Sequence, residues 1–142
     1  PGHEIRVGAR TSVQDNVVLH VSRQGATVIG SDVTIGHGAI LESCVVGDGA
    51  LIGMNAVVLQ RATVGEQALV AAGAVVGSGA TIPPRALAAG TPAVVKKTLE
   101  GESLRWVSTS AAHYVELSRD YLAQGVGREG GGEPGIDDTP RT

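Results

Sequence analysis

"VVGDGALIGMNAVVLQRATVGEQALVAAGAVV", residues 45–76, places an aliphatic residue at every sixth position: Val46, Ile52, Val58, Val64, Val70 and Val76. A fixed period of six is an internal repeat, and missing it would misassign the whole fold. Gly follows Val46, Ile52, Val64 and Val76, usually with a small residue three positions further on. Six residues make one short strand plus a corner, and three such flat sides close a triangular coil of about eighteen residues. The aliphatic residue points inward and stacks on its equivalents above and below. Gly and Ala are expected to permit the tight corners and positive φ that bulkier residues resist. No coil buries its own apolar edge, so stability is shared between neighbours.

The same spacing runs outward from this stretch. Upstream it marks Val7, Val13 and Leu19, then Ile29, Ile35 and Leu41; downstream it reaches Ile82. Two interruptions fix the register. The gap from Leu19 to Ile29 is ten, so "SRQGAT" (22–27) holds an extruded loop, and the gap from Leu41 to Val46 is five, a one-residue deletion at a corner. After Ile82 the pattern fades through Pro83, Pro84 and Pro92. From Leu99 to Ala123 the spacing turns helical through Leu104, Trp106, Val107, Ala111, Tyr114, Val115, Leu117 and Leu122, with Thr98 as the expected N-cap. At about 1.5 Å per residue this helix is long enough to cover one side of the prism. The expected organisation is a hexapeptide-repeat β-helix over 1–97, an amphipathic helix over 98–124 and a flexible, Gly- and charge-rich tail over 125–142.

Composition agrees with narrow stacked layers: 21 of 142 residues are Gly, aromatics are 2 % and Phe is absent, so Val, Ile, Leu and Ala must build the core. The length suits one domain. A net charge of -3 and the lack of a Lys/Arg cluster interleaved with aromatics argue against nucleic acid. No 18-residue apolar run and no secretory layout at "PGHEIRVG" lead to the expectation of a soluble protein without a membrane partner. Cys44, the sole cysteine, fits a reducing, cytoplasmic compartment.

Against this repetitive background His20, His37 and Glu42 stand out. His20 and Glu42 each follow the inward residue of the third side on adjacent coils, which predicts stacking about 4.8 Å apart. His37 lies two places after the inward residue of the second side and cannot readily meet them within one chain. A neighbouring prism packed about a three-fold axis could bring its His37 to them. Two imidazoles and one carboxylate with an open fourth position are a recognised catalytic zinc arrangement, and such an ion lowers the pKa of a coordinated water to about 7. The alternative is that both histidines are locally bonded corner residues and Glu42 is solvated.

"VQDNVVLH" (13–20), "VTIGHGAILESC" (33–44), "VGDGALIGMNAVVL" (46–59), "TIPPRALAAGTPAVV" (81–95) and "HYVELSRDYL" (113–122) together resemble the gamma-class carbonic anhydrase family. The resemblance implies a mainly β fold, a left-handed parallel β-helix with a C-terminal α-helix packed along it. It also implies a homotrimer with metal sites between subunits that reversibly hydrates carbon dioxide to bicarbonate. By this resemblance His20, His37 and position 42 are the metal ligands, for zinc or another divalent metal such as iron or cobalt. Gln14 is the residue that orients solvent, Tyr114 approaches from the helix, and Asp15 is an interface residue paired with an arginine. Simple packing against the prism is the alternative for Tyr114, as a side-chain ladder is for Gln14. Cys44 sits at a common family cysteine, while His3 and His113 match no family role.

This chain departs from the pattern at Glu42, where the family carries histidine, at Ser12, where it often has Asn, and in the further coils that usually precede "IRVG". Glutamate binds zinc, but its negative charge makes coordinated water less acidic. Two other functions therefore stand beside the enzyme: a non-catalytic trimeric scaffold, and a hexapeptide acyltransferase binding coenzyme A, since "PPRALAAGTPA" (83–93) also resembles the closing turns of that group.

Overall fold

A computed structural model describes residues 3–126. Among the described residues fifteen short strands precede one helix. They fall into three sheets that form the faces of a prism, visited in rotation by the chain. The first face comprises β1 (Ile5–Val7), β4 (Thr27–Ile29), β7 (Val45–Val46), β10 (Thr63–Val64) and β13 (Thr81–Ile82). The second holds β2 (Ser12–Val13), β5 (Thr34–Ile35), β8 (Leu51–Ile52), β11 (Leu69–Val70), β14 (Ala86–Ala89) and β15 (Val94–Thr98). The third holds β3 (Val18–His20), β6 (Ile40–Glu42), β9 (Val57–Val58) and β12 (Val75–Val76). Within each face consecutive coils pair in parallel, the parallel β-helix that the six-residue period dictates.

Both irregularities leave their mark on the register. Ile5 pairs with Thr27 across the coil that carries the loop, Thr34 pairs with Leu51 across the coil that lacks a residue, and Thr63 pairs with Thr81 in an uninterrupted coil. The extruded loop closes on itself through a bridge between Ser22 and Gly25.

Every predicted inward position from Ile29 to Ile82 is buried, including Ile35, Leu41, Ile52, Val58, Val64, Val70 and Val76. A second inward row of small residues fills the corners: Ala39, Ala50, Ala56, Ala62, Ala68 and Ala74, with Cys44 in the same series. Burial pushes the Cys44 thiol up to about 12. In the first coil Val7 and Val13 remain exposed.

The corners differ from the expectation in one respect. In full-length corners positive φ falls on the third residue after the inward aliphatic, and side chains as large as Arg10, Asn16, Asp32, Asn55, Arg61, Gln67 and Arg85 adopt it there; in the corner that lacks a residue it falls on Ser43, the second after Leu41. The glycine directly after the aliphatic serves another purpose. A Cβ on Gly53 would lie 2.5 Å from the backbone nitrogen of Ala72 on the next coil, so the close approach of two backbones demands its absence.

After β14 the chain reverses, and β15 pairs antiparallel with it. Helix α1 (Gly101–Ala123) then runs back along the second face. That face alone carries Leu51, Leu69 and Leu87 outward, and they meet Leu99, Leu104 and Val107. Gln67 Nε2 donates to Ser108 Oγ at 3.0 Å, and Thr34 Oγ1 to Ser110 Oγ at 3.2 Å, so one helix turn spans from a later coil to an earlier one.

Thr98 is not the N-cap: it ends β15, and the cap position is Glu100, which makes no side-chain cap bond. Because β15 runs through Thr98, the helix starts only at Gly101. Trp106 and Leu122, expected on the apolar face, are exposed; Val107 and Ala111 are the helix residues fully buried. The tail expected to be flexible (125–142) lies outside the described residues from 127 onward.

Candidate functional site

The third face is bounded by two corners that carry the chemistry. At one edge β3 and β6 bring His20 directly beside Glu42 in parallel register. Strand alternation sends both side chains to the side opposite Leu19 and Leu41. Buried Thr27 fixes this corner: its hydroxyl donates to the His20 carbonyl and accepts the Ser43 N–H at 2.8 Å. The Ser43 hydroxyl in turn donates to the Gly25 carbonyl and accepts the Ser22 N–H, each at 2.8 Å, so the extruded loop is tied to the corner.

Glu42 is half-buried, and its Oε1 accepts a hydrogen bond from Gln60 Nε2 at 2.9 Å. Ser78 Oγ donates to Gln60 Oε1 at 3.1 Å. The sequence reading missed both residues: Gln60 and Ser78 are one regular coil apart, but with Leu41 paired to Val58 across the shortened coil, Gln60 stands one residue past the register equivalent of Glu42.

His37 occupies the opposite edge, in the corner between β5 and β6. Its Nδ1 lies 3.2 Å from Asp15 Oδ2 on the coil before it, both side chains being exposed. The contact shown for Asp15 is therefore this histidine, where family resemblance implied an arginine. His37 and Glu42 flank β6 from its two ends, separated by the width of the face.

Gln14 and Tyr114 do converge with His37. All three line a cleft of about 360 Å³ between the helix and the second face, whose walls also include Leu51, Met54 and Trp106. His20 and Glu42 do not line it. His3 Nδ1 lies 3.3 Å from the Ser22 carbonyl of the extruded loop, and His113 makes an edge-to-face contact with Tyr114.

Two imidazoles and a carboxylate are a suitable donor set for a divalent ion such as zinc. Among the described residues of one chain, however, no three His, Cys, Asp or Glu side chains gather closely enough to hold an ion. The donors His20, Glu42 and His37 fit a metal only if the two edges come from different copies.

Known proteins bear on this arrangement. Residues 26–60 and 43–78 match the family model described as bacterial transferase hexapeptide (six repeats). A probable carbonic anhydrase of Methanocaldococcus jannaschii is 46% identical over 115 residues, covering 81% of this chain and 72% of that protein. The mitochondrial gamma carbonic anhydrase 2 of Arabidopsis thaliana is 34% identical over 128 residues, 86% of this chain; the chain spans 46% of that relative. Among solved structures, a hexapeptide transferase family protein from Anaplasma phagocytophilum superposes with a TM-score of 0.78 at 40% identity, covering 82% of this chain and 68% of that one. With its repeat, its returning helix and these relatives taken together, the chain belongs to the hexapeptide-repeat family of gamma carbonic anhydrase-like proteins.

Proposed function

We propose that this protein is a metal-dependent enzyme that reversibly hydrates carbon dioxide to bicarbonate at sites between the copies of a homotrimer. The observation that carries the reading is the division of donors across the third face: His20 and Glu42 are register partners at one edge, and His37 stands at the other. Copies that pack the left edge of one third face against the right edge of the next form a heterologous interface, which closes as a ring. The outward column of that face is apolar, with Val18 at 49% and Ile40 at 43% exposure beside the half-buried Val57 and Val75, and the helix covers a different face. Burying such a column on a second copy is favourable.

His20 and Glu42 of one copy and His37 of the next would hold the ion, zinc or another divalent metal such as iron or cobalt. When bound, it supplies the Lewis acidity that makes water nucleophilic near neutral pH. Gln14, half-buried beside His37, presents an amide that donates to and accepts from water and so orients it. Leu51, Met54 and Trp106 give the neighbouring cleft apolar walls suited to an uncharged substrate. Tyr114 closes that cleft from the helix side. Among the described residues no helix is long and apolar enough to cross a membrane. The free thiol of Cys44 suits a reducing compartment, and on that ground we assign the protein to the cytoplasm.

The test is stopped-flow carbon dioxide hydration by zinc-loaded protein of known oligomeric mass. Hydration above the buffer rate that His20→Ala abolishes supports the reading; a zinc-loaded trimer no faster than buffer removes the enzyme and leaves the scaffold. The transferase name of the Anaplasma relative supports one alternative, acyl transfer from coenzyme A, and coenzyme A binding by calorimetry would favour it.

A further inference from the structure

Resting on the metal reading above, we infer that Gln60, itself oriented by Ser78, is a positioning residue that prepares Glu42 to act as the third ligand. Glutamate reaches its ligating atoms through three rotatable bonds and offers two equivalent oxygens. Such a side chain loses much freedom when it binds an ion at one fixed place. In this protein most of that ordering is already done. Gln60 Nε2 donates to Oε1 of Glu42 at 2.9 Å, which commits one oxygen to a neutral donor and leaves the other for the ion.

The orientation of Gln60 is fixed at its other end. Ser78 Oγ donates to Gln60 Oε1 at 3.1 Å, so the amide oxygen faces Ser78 and the amide nitrogen faces the carboxylate. An inverted amide would set oxygen against oxygen at Glu42. Because the donor is an uncharged amide, it restrains Glu42 without neutralising the charge that attracts a cation. Lysine at position 60 would restrain it equally and repel the ion. Partners of metal-ligating carboxylates behave this way in general: they orient the ligand, and removing them costs about 10–100-fold in metal affinity.

The experiment measures zinc affinity by competition with a chromophoric chelator for wild type, Gln60→Met, His20→Ala, Glu42→Ala and the Glu42→Ala/Gln60→Met pair. Methionine keeps the length of glutamine and lacks its donor. The expected result is at least about a tenfold loss of affinity in Gln60→Met, with oligomeric mass and metal-free melting temperature unchanged. In the Glu42→Ala background the same substitution should change affinity less than about twofold, because its effect passes through Glu42. Equal losses in both backgrounds, or affinity within about twofold of wild type in the single variant, would overturn the inference. If His20→Ala binds zinc as tightly as wild type, the metal reading itself fails and this inference falls with it. If His20→Ala loses zinc and Gln60→Met does not, the positioning role alone fails.

Discussion

His20 is the direct register partner of Glu42 across β3 and β6, although 21 residues including an extruded loop separate them along the chain. The pairing turns two distant sequence positions into one edge of a face, with Thr27 bridging the His20 carbonyl to the N–H of Ser43, next to Glu42. His37, only five positions before Glu42, stands at the opposite edge because β6 runs between them. Closeness in sequence and closeness in space are inverted here.

That inversion predicts complementation between copies. His20→Ala and His37→Ala should each lose zinc as homotrimers. Co-refolded in equal amounts, they should regain about a quarter of the wild-type sites, since one site in four joins an intact His20 to an intact His37 of the next copy. Metal content after dialysis checks this; mixtures as empty as their parents would refute a shared site.

Replacing Glu42→His should raise zinc affinity and shift hydration activity toward lower pH, because imidazole adds no negative charge to the donor set. Calorimetry and a pH–rate profile read the two effects. Unchanged affinity would place residue 42 outside the ligand set.

Two glycines in equivalent-looking "IG" and "VG" pairs should respond oppositely to alanine. A Cβ at Gly53 meets backbone atoms of Ala71 and Ala72 at 2.5–2.8 Å, so Gly53→Ala must push two coils apart. We expect it to destabilise by at least about 2 kcal/mol, in the range of an overpacked core. A Cβ at Gly77 has nothing within 4 Å. Gly77→Ala should be neutral or stabilise by up to about 1 kcal/mol through the unfolded chain. Denaturant midpoints separate the two cases.

Cys44 should make stability fall at alkaline pH. Its thiol is pushed from an ordinary value of 9.0 up to about 12 by burial. A raised folded-state value means that the contribution is complete below pH 9.0 and is lost as pH climbs toward 12, because the unfolded thiol ionises first. The melting temperature of wild type should therefore drop more between pH 8.5 and 11 than that of Cys44→Ala, as checked by thermal scans. At pH 8 a thiol reagent should label Cys44 only after unfolding.

The sequence by itself determined the coil. A period of six with aliphatic and small residues is a local pattern repeated many times, so each rung reports the same inward position and the register survives a loop and a deletion. For the same reason the pairing of residue 20 with residue 42 could be read from spacing alone. Tertiary structure decided what periodicity does not encode. The reversal into β15 moved the helix start from Thr98 to Gly101, because an antiparallel partner on β14 outweighed a favourable cap residue. Side-chain contacts between rungs joined Gln60 and Ser78 to Glu42 and Asp15 to His37, since a repeat fixes which positions stack but not which polar atoms then bond. The positive-φ corners followed the same logic. Backbone closure of the triangle set them whatever the side chain, at the third residue of a full corner and at Ser43 of the shortened one, and glycine was required instead where two coils come closest.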